Sequence, residues 1–580
     1  MYTTLWSRPI DRGRSVRRVA SLTFVLLAAC SDSNTQDPTT PATSNTDPVA
    51  VVAVIPAQSA IAGLAFSFDA TRNHTTFTDP RGTGLTYTVA FTPSVSGLSA
   101  TAGRITGTPL APGTITVLIT ATDGTGRSAS HTFSISVAGA APIVVASANV
   151  SQGATVGQPF DYDATKNGAT FQSGSGVAMT YTLSITPAGS GLSAQQGRVV
   201  GVPLQPGIVT ATIVATDASG NVASNAFPVV MFGADLVPPT LNTSAFNYSD
   251  ASAPLPAHYR IQGGPGGSAI ATDNMPLTNA TTNAGATLGR VLFYDRRLSR
   301  NDRVSCASCH QQQFAFSDTA RLSRGFAGGL TGRHSMGLAN ARFYQRGRFF
   351  WDERAATLEA QVLQPIQDTV EMGMTLPAMV TKLSVSPYYP ALFTAAFGTA
   401  EITSDRVGRA LAQFVRSMVS GTSKFDQAFG GGTTPNFAAT FTADELAGQI
   451  LFTGPAGCAR CHTTNAAVSD DIHNTGLDAT QTDAGAGGGR FKAPSLKSVA
   501  VRPPYMHDGR FQTLEHVVDF YNTGVQNNAN LDNRLRGPGG GGPIRLNLSV
   551  TQRNQLVAFM RTLTDNAFLT DPKFANPFAR

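Results

Sequence analysis

Cys306-Ala-Ser-Cys309-His310 and Cys458-Ala-Arg-Cys461-His462 are one five-residue pattern written twice, and together they use every cysteine of the chain except Cys30. In C-x-x-C-H the two thiols lie on one turn and add to the vinyl groups of a haem, while the adjacent histidine reaches the iron axially. Two local disulfides would suit an oxidising compartment but leave the histidine after each pair unexplained. A zinc ribbon needs its pairs about 15–20 residues apart, and these are separated by well over a hundred. The pattern therefore predicts two covalently held haem c groups, one on Cys306, Cys309 and His310 and one on Cys458, Cys461 and His462. His310 and His462 are the expected iron ligands.

Around these motifs the periodicity is helical. Val407, Ala410, Leu411, Phe414 and Met418 form one apolar face behind the start signal Thr403-Ser-Asp405. Thr442-Ala-Asp-Glu445 and Ser549-Val-Thr-Gln552 read as capping boxes, the second followed by Leu556, Phe559, Met560 and Leu563 at helical spacing. Gly-rich loops at 485–489 and 537–542 separate the helices. Residues 271–435 and 436–580 are accordingly read as two mostly α cytochrome c domains, preceded by a linker at 234–270.

Further towards the N-terminus the character changes. Phe66-Ser-Phe-Asp-Ala-Thr71 recurs as Phe160-Asp-Tyr-Asp-Ala-Thr165, and Ser96-Gly-Leu-Ser-Ala100 as Ser190-Gly-Leu-Ser-Ala194, at a constant offset of 94 residues. Such an ungapped register means two copies of one domain, expected at 51–139 and 140–233. Within each copy, runs such as Thr114-Ile-Thr-Val-Leu-Ile-Thr-Ala121 are bounded by Gly, Pro and Asp-Gly. They read as short strands of an all-β, immunoglobulin-like sandwich. The repeats resemble the immunoglobulin-like and cadherin-like modules of bacterial surface proteins, for which a spacer or adhesion role is the default and calcium on the Asp residues the lesser alternative.

Before the repeats, five arginines against one acid precede an apolar run from Val19 to Leu27 and the ending Leu27-Ala28-Ala29-Cys30. That layout is a secretory signal, and it resembles a bacterial lipobox with Cys30 as the acylated anchor. Residues 1–30 are the expected signal and 31–50 a flexible tether, so the chain is expected to be exported, to the periplasm or to the outer membrane or cell surface, and held to a membrane by lipid. The formal charge of +6 falls to +2 without residues 1–30, and haem propionates would turn it negative. Nothing in that balance suggests nucleic acid as a partner.

The helical half carries a more specific resemblance. Leu288-Gly-Arg-Val-Leu-Phe-Tyr-Asp-Arg-Arg-Leu-Ser299, Phe350-Trp-Asp-Glu-Arg354, Pro365-Ile-Gln367 with Val370-Glu-Met372, and Phe414-Val-Arg-Ser-Met-Val-Ser-Gly421 lie around the first motif. Ala493-Pro-Ser-Leu-Lys-Ser-Val499, Pro504-Tyr-Met-His-Asp-Gly509 and Val518-Asp-Phe-Tyr521 follow the second. In this order they resemble the bacterial di-haem cytochrome c peroxidases and MauG, over about residues 285–565. The resemblance implies that the first haem reacts with hydrogen peroxide and the second stores or relays electrons. It places Gln361, Pro365 and Glu371 on the peroxide side and Trp351, the sole tryptophan after the signal, between the haems. A carboxyl group that shifts a proton between the two peroxide oxygens is the physical need that Glu371, with the Gln361 amide, would meet.

Two positions stay open in this reading. His334 is a candidate iron ligand, a candidate substitute in an inter-haem calcium site built with carbonyls near Pro504, or a structural residue. Opposite His462, Tyr521 stands at the position where the peroxidases carry Met and MauG carries Tyr, with Met506 as the alternative ligand. His507 matches a family histidine that is structural or supports a ligand from behind, and His473 and His516 read as surface residues. The expected activity is reduction of hydrogen peroxide to water with electrons from a small cytochrome c or cupredoxin. A MauG-like oxidase of a protein or organic substrate, and a surface-displayed electron-transfer cytochrome, are the two rivals.

Overall fold

The computed structural model describes residues 48–242, 245–261, 268–468 and 471–578. The signal, the tether up to residue 47 and the anchor at Cys30 lie outside the described residues.

Each β repeat is built of a four-stranded and a three-stranded sheet with one further two-stranded pair. In the second, the larger sheet runs in the order Gln152–Thr155, Val222–Phe232, Gly207–Asp217, Met179–Thr186, its first two strands parallel. The smaller sheet is Phe160–Asp163, Arg198–Gly201, Leu192–Gln195. The alternation that suggested strands decides the core, because successive side chains point to opposite faces. Val209, Ala211, Ile213 and Ala215 are buried, as are Ile115, Val117, Ile119 and Ala121 at the matching places of the first repeat. The repeated Asp-Ala-Thr is a turn. Asp69 Oδ1 accepts from the Thr71 N–H at 3.0 Å and Oγ1 at 2.7 Å, and Oδ2 from the Asn73 N–H at 2.9 Å. Asp163 does the same with Thr165 and Asn167. Burial opposes ionisation, but these bonds hold both carboxyls below the usual range. Their lone pairs are occupied by the backbone, and among the described residues no group of three or more His, Cys, Asp or Glu is disposed to hold a metal.

The C-terminal half is helical. Asn283–Tyr294 crosses Ser404–Arg416, and Ala443–Thr453 crosses Val550–Thr562. Each crossing has a glycine where the backbones touch: a Cβ on Gly289 would lie 2.0 Å from the Ala410 carbonyl oxygen, and one on Gly448 1.9 Å from that of Gln555. Thr403 caps its helix by accepting from the Arg406 N–H at 3.2 Å. Both expected capping boxes form, Thr442 with Glu445 and Ser549 with Gln552. Residues 245–261, read as part of a linker, pack into this half: Tyr259 is fully buried and its hydroxyl donates to the Ser420 carbonyl at 2.7 Å. The second repeat is seated on the same half. The Gly233 N–H donates to Asp302 at 3.0 Å, Asp302 pairs with the buried Lys382, and Arg297 covers the Phe232 ring at 5.4 Å. Among the described residues no helix is long and apolar enough to cross a membrane.

Candidate functional site

The first motif is a single helical turn, Cys306–Cys309, capped by Ser305, whose N–H bonds the Ser308 hydroxyl at 3.0 Å. His310 continues it, its N–H on the Cys306 carbonyl at 3.0 Å. Its ring Nδ1 lies 2.8 Å from the Phe316 carbonyl oxygen. That bond needs the proton on Nδ1, which fixes the ring and leaves Nε2 as the ligating nitrogen. Burial lowers the His310 pKa and raises those of the thiols, Cys306 to about 12 and Cys309 to about 11. The four motif cysteines stand as free thiols.

The second motif turns at Cys458–Arg460 behind Gly457, whose φ of 68° favours glycine. The His462 N–H bonds the Cys458 carbonyl at 3.1 Å. Burial pushes the His462 pKa down to about 4, with the Ala467 backbone working against it. Among the described residues its buried Nδ1 has no partner at hydrogen-bonding distance. Cys458, Cys461 and His462 form part of the wall of a cavity of about 290 Å³, lined elsewhere by Tyr521, Met506 and apolar residues such as Val518 and Met560. Two buried cations also line it: Lys492, lowered by burial to about 7, and Arg502, lowered by burial to about 10. Neither has a carboxylate within ion-pair range among the described residues. A haem meets all of these features. Cys458, Cys461 and His462 would hold it, the apolar lining would receive it, and its propionates would supply the missing anions. Haem c therefore fits the second motif, and the fixed imidazole and buried thiols of the first motif fit it too.

Gln361 lies on the helical turn Leu358–Val362, Pro365 on Gln364–Gln367 and Glu371 just after it, all three half-buried. The Glu371 N–H is tied to Asp368 Oδ1 at 3.0 Å and its carbonyl accepts from Phe326 at 2.9 Å. Its carboxyl is raised to about 7 by burial and then by Asp368, with Arg354 acting the other way. Glu371 is close enough to Cys306 and Cys309 for its charge to push both thiols upward.

Trp351 comes from the first half of the helical region but lines the cavity of the second motif. Its Nε1 donates to the His334 carbonyl at 2.8 Å, its carbonyl accepts from Lys492 N at 2.9 Å, and its ring meets His507 edge-on at 6.4 Å. His334 is buried, with Nδ1 at 3.1 Å from the Ala320 carbonyl oxygen and Nε2 at 3.3 Å from Ser317 Oγ. Both ring nitrogens thus face the protein's own groups. His507 stacks on Phe491 at 3.7 Å. Next to His334 in the chain, Arg333 pairs with both Asp352 and Asp483, at 2.6 and 2.8 Å.

Tyr521 and Met506 both line the second cavity. Tyr521 belongs to a wide π-helical turn, Phe520–Gly524, and its phenol pKa is raised by burial and by the two thiols. Met506 has a φ of 73°, a strained conformation for a residue with a side chain. His516 is exposed as expected. His473 corrects the expectation of a surface residue. It is only 4% exposed, bonds Asp532 at 2.6 Å and lies beside Cys461 in the cavity wall. The short strand pair Ile472–His473 with Phe491–Lys492 puts it there, and a lone histidine in a loop-rich sequence gives no sign of that pairing. Lys492 and Arg502 escaped notice for the same reason, since a cation in sequence reads as surface.

Comparison with known proteins agrees with these features. The family model described as "Di-haem cytochrome c peroxidase" matches residues 283–434, and "Putative Ig domain" matches 48–138 and 141–231. The methylamine utilization protein MauG of Methylorubrum extorquens is 36% identical over 310 residues, covering 51% of this chain and 83% of the relative. The cytochrome c551 peroxidase of Nitrosomonas europaea is 30% identical over 297 residues, covering 48% and 79%. A solved MauG-like protein associated with microbial copper homeostasis is 30% identical, with a TM-score of 0.47, covering 53% of this chain and 97% of that one. The chain therefore belongs to the di-haem cytochrome c peroxidase and MauG family, an oxidoreductase family holding two haem c groups, and carries two immunoglobulin-like domains ahead of that part.

Proposed function

We propose that the chain is a di-haem peroxidase that reduces hydrogen peroxide to water with two electrons and two protons, the electrons coming from a small redox protein. The observation that carries this is Glu371, a half-buried carboxyl beside the first haem-binding turn with a pKa raised to about 7. A group poised there can take a proton and give it back at neutral pH. Haem held by Cys306, Cys309 and His310 would supply the site for peroxide and the electrons for cleaving its O–O bond. Glu371 as carboxylate accepts the proton of the nearer peroxide oxygen and returns it to the farther one, which leaves as water. Gln361 offers an amide to orient the peroxide, and Pro365 shapes the turn that carries Glu371. Glu371→Gln tests this: both haem spectra should persist while reaction with peroxide slows by about 10²–10⁴-fold. Wild-type turnover in that variant would return Glu371 to a merely structural part.

One observation favours the MauG-like oxidase as a second reading. Tyr521 lies in the second cavity with Cys458 and Cys461, and a hard phenolate opposite His462 would favour the ferric state, where a thioether would favour the ferrous. Trp351 would then carry an electron or hole between the two centres. Tyr521→Phe should change the low-spin haem spectrum and potential, and Met506→Leu should not. The reverse result would assign the ligand to Met506 and restore an electron-storage haem. The anchor at Cys30 and export to the periplasm or cell surface complete the proposal, and labelling with a radioactive fatty acid that is lost in Cys30→Ala would test them.

A further inference from the structure

Tyr344 is fully buried, and its hydroxyl donates to the carboxylate of Glu353. Glu353 is 3% exposed and holds a φ of 54°, left-handed backbone in a residue with a side chain. That conformation is disfavoured and persists where the surroundings impose it. Arg346 Nε reaches both Glu353 oxygens at 2.9 Å, and its Nη1 reaches Asp471 at 3.2 Å. Lys492 Nζ lies 3.8 Å from the centre of the Tyr344 ring, while its backbone N–H bonds Trp351 and its side chain lines the second cavity. Tyr344 is therefore one residue behind the cavity wall, with a proton acceptor already in place.

Other buried tyrosines of this half lack that arrangement. Tyr259 and Tyr294 donate to the backbone carbonyls of Ser420 and Phe574, which cannot take a proton. Tyr388 and Tyr389 share one acceptor, Asp295, and their rings pack on Phe578 and Phe393 rather than behind Lys492.

We propose that Tyr344 is a one-electron redox residue that stores an oxidising equivalent, with Glu353 receiving its proton. On oxidation the Tyr344 O–H bond breaks. The proton goes to the Glu353 carboxylate, and one electron goes to the centre that hydrogen peroxide has oxidised. A neutral tyrosyl radical and a neutral carboxylic acid remain, and reduction by the electron donor reverses both transfers. The pair passes from one negative charge to none, so no positive charge arises beside Lys492, and Arg346 keeps Asp471 as its partner. Without a base at hand, removing the electron would leave a cationic ring against an ammonium group.

The proposal rests on the peroxide chemistry above. Its test separates the two. Holoprotein containing ring-deuterated tyrosine is mixed with hydrogen peroxide in the absence of donor, frozen, and examined by EPR beside unlabelled protein. A radical signal narrowed by deuteration is expected, and it should vanish in Tyr344→Phe while haem content is kept. Glu353→Gln, which keeps an oxygen for the hydroxyl but cannot take its proton, should also lose the signal without removing the ring. A tyrosyl signal unchanged in Tyr344→Phe, or none although peroxide is consumed, overturns the proposal. Peroxide left unconsumed instead removes the peroxidase reading. Flash oxidation with ruthenium(III) tris-bipyridine then decides on Tyr344 by the same comparison.

Discussion

Glu371 shows how one residue's surroundings set its use. Burial and Asp368 lift its pKa from 4.5 to about 7. The proton acceptor proposed here must be ionised, so the rate of reaction with peroxide should rise with pH through about 7, and Glu371→Gln should flatten that rise. Stability follows the opposite sense. A carboxyl whose folded pKa is raised contributes stability that is fully present below its unfolded value of 4.5 and lost as pH rises through about 7. Wild type should therefore lose stability relative to Glu371→Gln between pH 4.5 and 7, as denaturant titrations across that range would show. The glutamate and its spacing from Trp351 are legible in the sequence. Its pKa is not, because that depends on how residues 368–373 are covered by the segment near Gly325, where a Cβ would lie 1.7 Å from the Val370 carbonyl oxygen.

At the scale of elements, caps and periodic faces are the legible part. Val407, Ala410, Leu411, Phe414 and Met418 are all buried, and both capping boxes close as their residues require. Thr442→Ala should cost about 1 kcal/mol, read as a lower melting midpoint. The helix crossings follow a different rule. Gly448 reads in sequence as a weak point in a helix, yet a side chain there would strike the Gln555 carbonyl. Gly448→Ala should raise helix propensity and still destabilise the second cytochrome domain by about 1–3 kcal/mol, because the two helices must part to admit the methyl. Thermal unfolding followed at the second haem would check it, and an unchanged midpoint would show that the crossing yields freely. The π-turn at Phe520–Gly524 was equally hidden. It re-aims a helix end by one residue, a choice made by packing against Met506, Phe511 and Leu531 rather than by any local signal.

For the whole molecule, the two motifs predict about two haems per chain by pyridine haemochrome assay, resistant to acid–acetone extraction. Extractable haem or zinc in place of iron would contradict the two-site assignment. The seat of the second repeat on the helical half gives another prediction. Asp302 receives the Gly233 N–H and neutralises Lys382, both side chains almost without solvent access. Asp302→Ala leaves a buried ammonium without its partner and should cost about 3–5 kcal/mol. Limited proteolysis should then cut near residue 233 faster than in wild type. Equal cutting would mean that the contact contributes little to holding the repeat in place.

The sequence by itself determined what depends on local order: the C-x-x-C-H turns, the caps, the strand alternation and the 94-residue repeat, since each is a relation among residues a few positions apart or between two copies of one pattern. Tertiary structure alone decided which distant groups share one space. It brought His473 beside Cys461, set Lys492 between Tyr344 and the second cavity, and paired Arg333 with both Asp352 and Asp483. The physical reason is that charge and proton affinity depend on burial and on neighbours within a few ångströms. In a folded chain, most such neighbours come from far along the sequence.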